Sequence, residues 1–117
     1  MSLTVAFAVG FRSIVTFVEH PPALRCEGDE DVATQGLRRP ALSRALTVQS
    51  DLVVELRALS FADASFMLDL VMLSRRLRKA GRRMRIRGAQ PQIHRLIETM
   101  GVQRLPGVEL EPAPVGA

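Results

Sequence analysis

The sequence predicts an α/β fold, a mixed β-sheet of four to five strands with helices packed on it. Three observations predict it. Short β-branched or alternating runs take turns along the chain with stretches whose apolar residues recur every three or four positions. The resulting order is strand, strand, helix, strand, helix, strand, helix, with a further terminal strand, and each strand-helix-strand unit calls for a right-handed parallel crossover. Finally, 117 residues at 47% hydrophobic and 24% charged suit one domain that buries a core and still dissolves. The whole chain, 1–117, is expected to form that domain, with a core from about 12 to 110 and a flexible tail over 111–117.

The elements follow in order. Residues 12–18 (Arg-Ser-Ile-Val-Thr-Phe-Val) read as a strand, and residues 4–8 as an earlier strand or an extended arm. His20-Pro21-Pro22 stops regular structure, and 23–26 returns as a short second strand, which makes a hairpin with a proline turn. Gly28-Asp29-Glu30-Asp31 is a turn. Ala33, Leu37, Ala41, Leu42, Ala45 and Leu46 then mark one buried helical stripe, with Pro40 either kinking the helix or moving its start toward Arg39. Residues 51–56 form a compact strand, too short and β-branched for a helix. Asp63 caps a second helix whose core stripe is Phe66, Leu70, Leu73, Leu77 and Ala80, at steps of 4, 3, 4 and 3, and Gly81 closes it. Met84 and Ile86 alternate with Arg83, Arg85 and Arg87, a strand with one buried face and one arginine face. A third helix starts at Pro91 and runs to Gly101, and 102–110 is a last extended segment.

Composition excludes several functions. Cys26 is the lone cysteine and cannot form an internal bridge. His20 and His94 show no metal-ligand spacing, no glycine-rich phosphate loop precedes a helix, and Ser60, Ser65 and Ser74 have no nearby histidine in sequence. The chain therefore reads as a binding or regulatory protein and not an enzyme, with no cofactor implied. The longest apolar run, around 66–73, is broken by Asp69, so no membrane span is expected, and with no secretory signal the protein reads as cytoplasmic.

The formal charge of +4 is unevenly placed. Residues 1–69 carry six Arg against nine acids, −3, residues 70–97 carry eight Arg and one Lys with no acid, +9, and residues 98–117 carry one Arg against three Glu, −2. The basic surface is assigned to Arg75 and Arg76, with Arg78 and Lys79, on the last turn of the second helix, and to Arg83, Arg85 and Arg87 on the next strand. It reads either as a solvated face or as a surface for a partner. Arginine matches carboxylates bidentately, and no Tyr or Trp exists for base stacking, so an acidic protein partner is favoured over nucleic acid.

Three stretches carry a resemblance. Gly28-Asp29-Glu30-Asp31-Val32-Ala33-Thr34, Leu52-Val53-Val54-Glu55-Leu56 with Leu59-Ser60-Phe61-Ala62-Asp63-Ala64-Ser65, and Leu96-Ile97-Glu98-Thr99-Met100-Gly101-Val102 together resemble the STAS domain, specifically the stand-alone bacterial anti-sigma factor antagonists. In that family an unphosphorylated antagonist binds an anti-sigma factor, usually a serine kinase, and frees a sigma factor; phosphorylation of the serine after the conserved Asp ends the binding by adding close to two negative charges. The matching position here is Ala64, which has no hydroxyl, and the family's glycine is replaced by Phe66.

The resemblance implies partner binding through Asp29, Asp31, Thr34, Asp63, Ala64, Ser65, Phe66 and Met67, with Ser65 the remaining phosphoacceptor candidate. Plainer readings stand beside these: Ser65 as a helix-start hydroxyl, Asp63 as a cap, Phe66 as a core residue, and Asp29 to Asp31 as an acidic solvated turn. An adaptor subunit of a transport ATPase or stress-signalling complex is the alternative function, and nucleic-acid binding through Arg75 to Arg87 a further one. A homodimer is left open.

Overall fold

The structure is a computed structural model that describes residues 13–112. The arm or strand expected at residues 4–8, and most of the tail expected to be flexible, lie outside the described residues. One sheet organises the rest, in the order β1 (Ser13–Val18), β2 (Ala23–Glu30), β3 (Leu52–Ala62), β4 (Met84–Arg87), β5 (Val108–Leu110). The first pair is antiparallel, a hairpin across the His20-Pro21-Pro22 turn, and every later pair is parallel. Three helices make the parallel crossovers: α1 (Gln35–Ala45), entered through a 3-10 turn at Val32–Thr34, then α2 (Ala64–Lys79) and α3 (Pro91–Met100).

Burial alternates along the strands. Leu24 and Cys26, Leu52, Val54 and Leu56, and Met84 and Ile86 are buried, whereas Arg25, Glu27, Arg57, Arg85 and Arg87 between them are exposed. The buried side chains join Ala45, Phe66, Leu70, Leu73, Leu77, Ile93 and Ile97 of the three helices in one cluster. All three helices thus cover the same sheet face, as successive crossovers stepping one way across a sheet require. On the other face charges pair between strands: Arg87 Nε donates to Glu55 Oε1 at 2.8 Å, and Arg85 lies 4.0 Å from Glu109.

Four expectations are corrected. The second strand does not end at Cys26 but continues to Glu30. Gly28, with φ +81°, absorbs an irregularity in register that lets the strand go on pairing with β3, a conformation L-residues rarely adopt. The compact strand at 51–56 is the first half of an 11-residue strand whose later residues continue the pairing with β2. α1 does not begin near Arg39 but at Gln35, and it holds Pro40 on its solvent side, where water can satisfy the carbonyl left without its donor. The last extended segment is a 3-10 turn, Val102–Arg104, then a turn at 105–107 and only three residues of strand.

The stripe on α1 departs from its expected position only at its start. Ala33 and Leu37 point outward while Thr34 and Arg38 point inward, whereas Ala41, Leu42, Ala45 and Leu46 pack on the core as expected. α2 keeps its core stripe at steps of 4, 3 and 4 up to Leu77, and Ala80, just past the helix, is exposed. Gly81, φ +75°, closes the helix: its N–H donates to the Arg78 carbonyl and that of Arg82 to the Leu77 carbonyl, the paired bonds of a left-handed helix stop. Arg82 is itself buried and donates to the carbonyls of Ala45, Leu46 and Ser50, so a residue counted in the basic segment holds the C-terminal end of α1.

Candidate partner-binding site

The C-terminal end of β3 delivers Asp63 to the start of α2. Its backbone there is extended, and the carboxylate turns back to accept from the N–H groups of Ser65 at 2.9 Å and Phe66 at 3.4 Å, the arrangement that satisfies free donors at a helix start. The Ser65 hydroxyl adds a donation at 2.6 Å. The second carboxylate oxygen accepts the N–H of Val32 at 3.1 Å and so ties the 3-10 turn to α2. Burial pushes the Asp63 carboxyl up, but these four hydrogen bonds outweigh it and hold the group below the usual carboxylate range.

Across from it, Asp31 caps the 3-10 turn. Its carboxylate accepts from the N–H of Ala33 and Thr34, while the Thr34 hydroxyl accepts the N–H of Asp31 at 3.0 Å, a reciprocal capping pair. Beneath both caps lies Arg38. Its Nη1 donates to Glu30, to the Asp31 carbonyl and to the Thr34 hydroxyl, its Nε to Asp69 at 2.7 Å, and its Nη2 to the Ser65 hydroxyl at 3.2 Å. One buried guanidinium therefore joins the ends of β2 and the starts of α1 and α2. It also sits 5.4 Å from the centroid of the Phe66 ring.

The residues expected to meet a partner divide accordingly. Asp29 and Ala64 are exposed, and Asp31, Asp63 and Ser65 are half-buried. Thr34, Phe66 and Met67 are at most 1% exposed and lie in the interior. Phe66 starts the core stripe of α2, Met67 packs beside it, and the Thr34 hydroxyl is consumed by the cap. Arg83, Arg85 and Arg87 are exposed, with Arg85 and Arg87 facing Glu109 and Glu55.

A surface element was missed. Ala64, Leu68 and Met72 lie four residues apart and all are exposed, the latter two 55% each. They form an apolar row on the side of α2 opposite the core. Val32 at 68% and Phe61 at 51% flank its N-terminal end. The signal was in the sequence: α2 has apolar residues at 64, 68 and 72 that its core stripe does not use.

Residues 14–110 match the family model described as Mlab, STAS domain. The chain belongs to the STAS domain family. The fold agrees with that of the anti-sigma factor antagonist SpoIIAA in its unphosphorylated form, with a TM-score of 0.63 at 18% identity over 88% of this chain and 90% of that one. A second similar structure is an uncharacterized DUF3478-family protein with a SpoIIAA-like fold from Shewanella loihica PV-4, with a TM-score of 0.50 at 14% identity over 86% and 84%. No curated protein matches. At these identities the likeness shows the STAS fold alone. No cluster of three or more His, Cys, Asp or Glu among the described residues could hold a metal, and no described helix is long and apolar enough to cross a membrane.

Proposed function

We propose that this STAS domain is a non-catalytic, regulatory protein-binding module whose partner docks on the exposed row Ala64, Leu68 and Met72 and on the adjoining Val32 and Phe61. The single observation that carries the reading is the row itself, an apolar face on a helix whose core side is already filled. By the family resemblance, the partner is an anti-sigma factor of the serine-kinase type, whose capture frees a sigma factor. Ala64 sits at the first turn of α2, where the family carries its acceptor serine, so binding proceeds without the usual phosphate release.

The same alanine favours one second reading, an adaptor subunit of a transport ATPase or stress-signalling complex. A permanent subunit has no use for a release hydroxyl. Affinity purification from the native host with mass spectrometry separates the two: co-purification of a kinase-like anti-sigma factor supports the first, and recovery of an ATPase assembly without it overturns the first in favour of the second.

A further inference from the structure

The nine cations of residues 70–97 are not one surface. Arg82 is spent on the end of α1, and Arg85 and Arg87 face Glu109 and Glu55 on the open side of the sheet. Arg75, Arg78 and Lys79 differ. Among the described residues none of them has a carboxylate within 4.0 Å, and residues 1–12 and 113–117 contain no Asp or Glu. Nor do they cap their own helix, since the carbonyls of Leu77 and Arg78 are taken by the N–H groups of residues 80–82.

These three side chains lie at positions i, i+3 and i+4, on one face of the last turns of α2. Together they form a wall of a cleft of about 630 Å³ whose other wall is Leu105 and Pro106. Ser74 also lines it, and its hydroxyl already donates to the Val71 carbonyl at 2.8 Å. The cleft therefore sets three cations that have no carboxylate partner among the described residues against an apolar surface. It lies toward the opposite end of α2 from Ala64 and does not depend on what docks there.

We propose that this cleft binds an acidic peptide segment of a partner protein, with an aliphatic side chain between its carboxylates. The two guanidinium forks and the ammonium match carboxylates, and the aliphatic side chain covers Leu105 and Pro106. A nucleic acid finds no aromatic side chain here on which to stack a base. A membrane surface asks for a broad amphipathic helix face, not a concave site between a helix and a loop.

The test uses the full chain and a fluorescein-labelled (Glu-Glu-Leu)3 peptide in fluorescence anisotropy at low salt. Binding is expected, weakened about tenfold by Arg78→Glu or Lys79→Glu. Arg25→Glu, the same charge change on the far face of the sheet, is expected to leave it within about twofold. A (Glu-Glu-Ser)3 peptide is expected to bind several-fold more weakly, because it leaves the apolar wall uncovered. Circular dichroism melts of the variants establish that each is folded. The proposal is overturned by absence of peptide binding, by equal losses in Arg25→Glu and Arg78→Glu, or by an oligothymidylate 15-mer or phosphatidylglycerol vesicles competing more strongly than the peptide.

Discussion

Nη1 of Arg38 donates to Oε1 of Glu30 across 3.1 Å, with both side chains fully withdrawn from water. The pair ties α1 to the end of β2, beneath the loops that carry the candidate site. Two charges taken out of water are costly, and their attraction roughly offsets that cost only while both are present and the remaining hydrogen bonds are made.

Removing one partner should therefore be worse than removing both. Arg38→Met strips the guanidinium from a buried carboxylate and is expected to cost roughly 3–5 kcal/mol. Glu30→Leu combined with Arg38→Met relieves the unpaired Glu30 and should recover part of that loss, with Asp69 left to the water it partly faces. Urea denaturation of the four proteins of the cycle measures it. Additive losses would show that the two residues do not act as a pair.

Asp63 gives a pH dependence with a definite sign. Its hydrogen bonds outweigh burial and lower its folded pKa, so the folded chain holds this proton more weakly than the unfolded chain. The stabilisation is complete above the unfolded value near pH 4 and is lost as pH falls through the folded one. Asp63→Asn keeps an acceptor for the cap but cannot titrate. Its stability should be lower at pH 7 by about 0.5–1 kcal/mol and should fall less steeply below about pH 4 than that of the wild type. Parallel acid limbs in urea titrations at stepped pH would contradict this.

The apolar row on α2 separates binding from folding. Leu68→Glu and Met72→Glu place charges where the side chains already face water, so each is expected to change stability by no more than about 0.5 kcal/mol. Capture of the native partner should nevertheless fall by about tenfold or more, the effect of removing a central apolar contact. Thermal melts and quantitative pull-downs from the native host read the two effects. Unchanged capture by both variants would move the binding surface off this helix.

Periodicity made most of the fold legible, because burial of apolar residues sets the sheet face and the helix stripes: Leu70, Leu73 and Leu77 are where a 3.6-residue repeat places them, and the alternation at Met84 to Arg87 announces a one-sided sheet. Periodicity failed where charge replaces hydrophobicity. Glu30 reads as part of a solvated acidic turn, no apolar pattern marks Arg38, and only the turn into α1 brings the two together. Leu37 faces water because the neighbouring Arg38 takes the inward position at the start of α1. At the candidate site Asp63 was legible as a cap because its role is local. Thr34 and Met67 were not legible as interior residues, since a motif aligned by likeness carries no information on which of its side chains reach the surface.

Ala64 and Ser65 make opposite predictions about phosphorylation. Ala64 is exposed but has no hydroxyl, whereas the Ser65 hydroxyl is engaged, donating to Asp63 at 2.6 Å and accepting from Arg38 at 3.2 Å. A phosphate on Ser65 removes the proton donated to Asp63 and puts its charge against the Asp63 carboxylate. Incubated with a serine-kinase anti-sigma factor and ATP, the wild type is expected to gain no mass, and Ala64→Ser to gain one phosphate, about 80 Da. That phosphate adds close to two negative charges at the head of the apolar row and should weaken partner capture by Ala64→Ser while leaving its unphosphorylated form as competent as the wild type. Intact-mass spectrometry followed by pull-down reads both steps. A phosphorylated wild type that Ser65→Ala leaves unmodified would instead make Ser65 the acceptor and restore a phosphate switch to this chain.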